Sequence, residues 1–141
     1  MNIRYFDIAR EISKLSPFKK IKLGCVVVYK KDILSVGYNS YKTNPLMKEL
    51  DKERYDVEED YNYHCHSLHA EVSALIKIRH LDIDFKKVVV YTYRESRTGA
   101  LRMSRPCKSC LRLIEDLGIK KMCYSTDTGY AEEILSDNSK I

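Results

Sequence analysis

The sequence predicts an α/β fold. Three observations lead there: apolar residues at helical spacing near the N-terminus, short valine-rich runs of strand length, and an alternation of strand-like and helix-like segments that continues to residue 124. In chain order, residues 3–15 place Tyr5, Ile8, Ala9, Ile12 and Leu15 on one helical face. Asn2 is the expected N-cap, and Ser16-Pro17 stops the helix because the residue before a proline avoids helical backbone. Residues 21–29 and 33–38 read as a β-hairpin turning through Lys30-Lys31-Asp32. Residues 40–66 carry many charges and four tyrosines with little periodicity, and fit either a long loop or a short polar helix.

From 68 to 78, Leu68, Val72, Leu75 and Ile76 with the small Ala70 and Ala74 predict a buried helix, capped by Ser67. Residues 87–93, with Val88-Val89-Val90 at their centre, form the next strand, followed by a polar loop over 94–105. A helix over 110–117 ends at Gly118, and a strand over 119–124 follows. Strand, helix and strand in that order normally make a right-handed parallel crossover. The tail has two readings, a hairpin through Asp127-Thr128-Gly129 into 130–135 or a short helix over 131–135.

Length and composition bound the function. A chain of 141 residues without repeats or linkers reads as one domain, 1–141. Its apolar runs are too short to span a bilayer and its first ten residues lack a secretory stretch, so a cytoplasmic protein with no membrane partner is expected. Five cysteines cannot all pair within the chain, which favours reduced thiols for metal or catalysis over a disulfide framework. The net charge of +5 is unevenly spread. Residues 1–48 hold ten basic and three acidic side chains, scattered over helix and hairpin and read as a solvated face. Residues 49–63 hold seven acids, and residues 94–112 hold six basic side chains against Glu95 alone. That second basic block flanks a cysteine pair, where a solvated face and a phosphate site are both open readings.

Two short motifs carry chemistry: His69-Ala70-Glu71 and Pro106-Cys107-Lys108-Ser109-Cys110. Each alone is weak. A histidine two residues from an acid is common on helices, and an isolated Cys-x-x-Cys is as easily half a structural zinc site or a redox pair. Together, one imidazole and two thiolates fill three corners of a zinc tetrahedron and leave the fourth open, as a catalytic site requires. Both motifs fall at expected helix starts, where backbone N–H groups favour thiolates and hydroxide. Pro106 fixes the approach to Cys107 at no cost in hydrogen bonds.

This His-x-Glu…Pro-Cys-x-x-Cys arrangement is the zinc-deaminase signature. The sequence therefore resembles the cytidine and deoxycytidylate deaminase superfamily over roughly residues 21–126. Histidine as first ligand and the segment Cys110 to Lys121 are similar to the deoxycytidylate branch. The resemblance implies a three-layer α/β/α fold with a central mixed sheet of about five strands, a Zn2+ cofactor held by His69, Cys107 and Cys110, and Glu71 as catalytic proton carrier. It implies hydrolytic deamination of a cytosine nucleotide or nucleoside, deoxycytidylate first, by a zinc-bound hydroxide that releases ammonia. It further implies that the Ala70 backbone N–H binds the base carbonyl, that Asn39 holds the sugar, and that the enzyme is a homo-oligomer. Asn39 also reads as a turn residue capping the hairpin.

Residues 95–105 intervene between strand and cysteine motif where many relatives run almost directly from one to the other; Arg94 stands just before them, Arg97, Arg102 and Arg105 lie within them, and Arg102 and Arg105 are the expected phosphate contacts. His64-Cys65-His66 is a tempting second metal site without an evident partner set, and two loop histidines are more often polar lining. Cys25 and Cys123 are expected as buried core thiols, and Tyr93, Tyr124 and Tyr130 as candidates for base stacking. The competing substrate is single-stranded DNA or tRNA, gripped by the basic blocks and tyrosines. A third reading, a non-catalytic zinc module, leaves Glu71 without a use.

Overall fold

The computed structural model describes residues 1–55 and 66–136. Five strands form one mixed sheet in the order β2-β1-β5-β6-β7, with helices on both faces. Four helices accompany it among the described residues: α1 (Ile3–Ser13), α2 (Pro45–Arg54), α3 (Ala70–Ile76) and α4 (Lys108–Leu117). The strands are β1 (Leu23–Tyr29), β2 (Asp32–Tyr38), β5 (Val88–Arg94), β6 (Lys121–Ser125) and β7 (Tyr130–Ile134). A separate two-stranded ladder pairs β3 (Ser40–Thr43) with β4 (Ser67–Leu68).

β1 is buried on both faces because its valines alternate between two cores. Val26 and Val28 face α1 with Phe6, Ala9 and Tyr91. Cys25 and Val27 face the opposite side, where Met47, Leu50, Val72, Leu75 and Ile114 of the other three helices pack. The result is the expected three-layer α/β/α arrangement, and Cys25 and Cys123 are fully buried thiols. β5 and β6 run parallel across the α4 crossover, while β1–β2, β1–β5 and β6–β7 are antiparallel. The hairpin turn places Lys30 and Lys31 at φ of 50° and 72°, the doubly left-handed conformation that matches strand twist.

The structure decides two open readings and differs from expectation at two places, the face of α1 and the start of α3. The tail takes the hairpin reading, with β7 antiparallel to β6. α1 is capped by Asn2 as expected, but it buries Tyr5, Phe6, Ala9 and Ser13 and leaves Leu15 61% exposed. Gly24 explains the rotation: a side chain there would collide with the backbone of Ala9 and Ser13, so the helix lies directly on β1 with its small residues inward. Residues 40–54 are ordered as β3 and α2; Asn44 caps α2, accepting from the Leu46 N–H at 2.8 Å, with Pro45 pre-set for the first turn. Ser67 caps nothing. It and Leu68 are taken into β4, so α3 starts two residues later than the pattern suggests, with His69 as its N-cap.

Candidate active site

Both metal-ligand motifs sit at helix starts, in a particular way. His69 is the N-cap of α3 and Cys107 the N-cap of α4, and neither side chain makes the usual capping hydrogen bond. Their imidazole and thiol are therefore turned away from the helix backbone and toward each other, with Cys110 in the first turn of α4 behind them. His69 Nδ1 lies 3.5 Å from Cys107 Sγ and 3.3 Å from Cys110 Sγ. All three donor atoms fall within 4.8 Å of one another. Tetrahedral zinc, with Zn–S of about 2.3 Å and Zn–N of about 2.0–2.1 Å, asks for N···S separations of about 3.5 Å, so the donor set fits the ion. Among the described residues no other group of His, Cys, Asp and Glu side chains is so arranged.

Packing fixes this geometry. Gly37 of β2 lets α3 approach so closely that an added Cβ would lie 2.5 Å from the Ala70 carbonyl and 2.6 Å from the Ala74 nitrogen. Ala70 is fully buried as the first residue of α3, where its backbone N–H has no partner within the helix.

The thiols and imidazole are strongly coupled. Cys107 is held far below an ordinary thiol by the hydrogen bond from Cys110, with the bond and charge of His69 adding to it. Cys110 is pushed up, first because its proton serves Cys107 and then by burial. Burial opposes a charged His69, but the Cys107 bond and charge outweigh it and raise its pKa. The downward direction at Cys107 suits a metal ligand, which must be deprotonated to bind. Glu71, 5% exposed, is pushed up to about 7 by burial, with the Cys107 charge adding and His69 opposing.

These groups open into a cavity of about 390 Å³. His69, Glu71 and Cys107 form its floor, and its walls include Phe18, Leu23, Asn39, Arg54, Arg94 and Arg105. Asn39 is 7% exposed, and its side chain holds the chain in front of β1: Oδ1 accepts from the Leu23 N–H at 2.9 Å and Nδ2 donates to the Ile21 carbonyl at 2.8 Å. It thus serves the backbone as well as lining the cavity.

The arginines behave differently from one another. Arg105 lines the cavity but donates twice to Glu133, at 3.0 and 2.7 Å. Arg102 does not line it; its guanidinium bonds the Leu101 carbonyl. Arg94 lines it with a buried Nε that has no hydrogen-bond partner among the described residues. The insertion over 95–105 is an ordered fold-back. Glu95 bridges to Leu101, and a buried hydroxyl cluster of Thr92, Ser104 and Ser125 ties its return limb to β5 and β6.

Other sequence readings fare differently. Tyr93 and Tyr130 belong to the α1 side of the sheet, Tyr130 stacking on Phe6 at 4.0 Å, and Tyr124 donates to Glu133, so none of the three lines the cavity. The aromatic ring that does is Phe18, which nothing in its local sequence singles out. His66 Nδ1 is bonded to Asp51 at 2.6 Å, while His64 and Cys65 lie outside the described residues. The basic residues of the first block do not all face away. Lys20 joins Arg94, Arg97 and Arg102 around a second, shallow cavity, and Lys14, Lys19 and Lys22 continue it. Among the described residues, no helix is long and apolar enough to cross a membrane.

Residues 1–126 match the model of the cytidine and deoxycytidylate deaminase zinc-binding region. The chain belongs to that family. It is a zinc-dependent aminohydrolase family, and His69, Cys107 and Cys110 are this member's candidate ligand set. Among solved structures, the fold is similar to dCMP deaminase from the cyanophage S-TIM5 in apo form, with a TM-score of 0.58 and 24% identity over 86% of this chain and 79% of that one. The same phage enzyme in complex with dCMP and dUMP gives a TM-score of 0.57 and 23% identity over 86% and 77%. Cytidine deaminase from Burkholderia pseudomallei gives 0.60 and 14% over 95% and 93%. No curated protein sequence matches the chain significantly.

Proposed function

We propose that this single-domain protein deaminates a cytosine nucleotide, 2′-deoxycytidylate first, to the uracil form with release of ammonia. The carrying observation is that two members of a three-donor cluster, His69 and Cys107, line one cavity together with a buried Glu71, with Cys110 buried behind them, and that its wall includes an arginine whose buried Nε has no partner among the described residues. Zinc bound by His69, Cys107 and Cys110 supplies Lewis acidity that lowers the pKa of a water in the cavity. Glu71 takes a proton from that attacking water and returns protons to the ring nitrogen and the departing amine. A carboxyl held near neutrality by burial can do both. The free N–H of Ala70 orients the base carbonyl. Asn39 keeps one amide hydrogen for a sugar hydroxyl once its backbone bonds are made.

For the phosphate, Arg94 replaces Arg102 and Arg105 as the principal grip. Arg102 lies outside the cavity, and Arg105 is already satisfied by Glu133. The deoxycytidylate preference draws support from the phage relative, whose complex holds dCMP and dUMP. The test is purified protein with dCMP, deoxycytidine, CMP, cytidine and a single-stranded oligonucleotide, following ammonia and product mass. dCMP should turn over fastest. Arg94→Ala should raise KM for dCMP by about 10-fold to 100-fold, the worth of a charged hydrogen bond, and leave deoxycytidine nearly unchanged. Equal use of dCMP and deoxycytidine by the wild type would contradict the phosphate grip.

One observation favours a second reading. The groove of Lys19, Lys20, Lys22, Arg97 and Arg102 meets the cavity at Arg94, and its acidic member Glu95 is engaged by Arg10 at 3.3 Å and by the Tyr93 hydroxyl. Such a track suits a chain of phosphates, and binding through it would weaken steeply with salt. Oligonucleotide deamination that is abolished by Lys19, Lys20 and Lys22→Ala changes, with dCMP turnover untouched, would make this a polynucleotide enzyme.

A further inference from the structure

Asp51 lies in α2 with its side chain inward and only 2% of its surface exposed, amid a segment whose composition reads as a solvated acidic face. Both of its carboxylate oxygens are used. The Ser109 hydroxyl donates to Oδ1 at 2.7 Å, and His66 Nδ1 lies 2.6 Å from Oδ2. A carboxylate only accepts, so the His66 Nδ1 carries the proton of that bond. Ser109 is fully buried and His66 is 8% exposed. A buried carboxylate without such donors is strongly unfavourable, so the three groups stand or fall together.

The two partners are not arbitrary. Ser109 is one of the two residues between Cys107 and Cys110, within the first turn of α4. His66 stands three residues before His69 at the entry to β4, with its backbone held at φ 52°, a left-handed conformation that side chains rarely adopt. One carboxylate therefore ties down the chain on each arm of the metal centre: the helix turn that presents both thiols and the approach that presents the imidazole. Around it, Met47 and Leu50 of α2 pack in the same core as Cys110. Asp51 is not part of the donor cluster itself.

We infer that Asp51 is a positioning residue for the metal centre, acting through Ser109 and His66 to set the mutual geometry of Cys107, Cys110 and His69. It contacts neither metal nor substrate. Partners that orient ligands in this way typically change metal affinity or activity by about 10-fold to 100-fold when removed. A residue that merely fastened α2 to α4 would affect thermal stability and leave the metal unaffected.

The inference rests on the metal reading of the three ligands and not on the choice of substrate. The test replaces zinc with cobalt(II), whose ligand-field and thiolate-to-metal bands report the coordination directly, in wild type, Asp51→Asn and Ser109→Ala. Wild type should show tetrahedral bands with thiolate character. Asp51→Asn should shift or weaken them and release zinc to a chromophoric chelator about 10-fold faster. Its kcat should fall while KM stays within about twofold, as expected for a displaced centre in an intact cavity. Ser109→Ala removes one bond without touching α2, so it carries the test should Asp51→Asn fail to fold, with the same but smaller changes expected. Folded variants with wild-type cobalt spectra and wild-type zinc release, whatever their melting temperatures, would reduce Asp51 to a structural fastening. Wild-type protein that takes up no cobalt would overturn the metal reading itself, and with it the role of Asp51.

Discussion

The floor and the mouth of the cavity are built on opposite principles. On the floor, His69 and Cys107 are helix caps whose side chains leave the capping position empty, so backbone geometry aims the ligands and burial holds them. At the mouth, Arg94 at the end of β5 and the arginines of the 95–105 insertion are partly exposed, and their roles are assigned by distant partners. Glu133, 28 residues further on, engages Arg105, while the buried Nε of Arg94 has no partner among the described residues. The floor tolerates little change because His69 and Cys107 are at once candidate ligands and helix caps. The mouth is adjustable, because its charges can be exchanged without moving a strand or helix.

The largest effect should come from the floor. Cys107→Ser and Cys110→Ser should lose the zinc, measured by elemental analysis, along with roughly a thousand-fold or more of activity and much of the fold's stability, since metal binding and helix placement share these residues. Full metal occupancy in both variants would break the contrast outright. Gly37→Ala tests whether packing alone maintains the floor. Its Cβ would press on the Ala70 carbonyl and the Ala74 nitrogen at 2.5 and 2.6 Å, so α3 must move. A loss of about 1–3 kcal/mol in denaturant unfolding, with a drop in kcat, is expected. An unchanged kcat would show that the position of α3 is less demanding than the account requires.

The same contrast explains what the sequence makes legible. His69, Glu71, Cys107 and Cys110 stand in two motifs a few residues long, and the strand–helix alternation around them needs only local periodicity. α2 stays open between loop and short polar helix in the sequence because Met47 and Leu50 are its buried apolar residues in a run of charges, although Asn44-Pro45 is a local start signal. β4 overrode the helical pattern at Ser67 and Leu68 because pairing with β3 satisfied backbone groups that the sequence alone leaves unassigned. The engagement of Arg105 by Glu133, the bonding of His66 to Asp51 and the meeting of Lys20 with Arg97 depend on tertiary proximity. No spacing rule announces them.

The smallest effect belongs to the mouth. Glu133 is held below the ordinary carboxylate value, chiefly by its bond with Arg105. Because the folded-state pKa is the lower one, the pair's contribution is present above about pH 4.3 and is lost as pH falls through the lowered value. Glu133→Gln should therefore flatten that part of the acid-unfolding curve by no more than about 1 kcal/mol, as for a partly exposed ion pair. It should leave zinc content unchanged and lower KM for dCMP by about twofold as Arg105 is released. A large loss of stability would show that the mouth is as rigid as the floor.

The central claim is that Glu71 moves protons over a metal centre it does not ligate. Glu71→Ala, assayed for zinc by elemental analysis and for ammonia release from dCMP, tests it most directly. One zinc per chain with turnover reduced by about a thousand-fold or more is the predicted result, in line with the loss of a general acid–base group. Retention of substantial turnover would contradict the proton-transfer role, and loss of the zinc would make Glu71 a ligand.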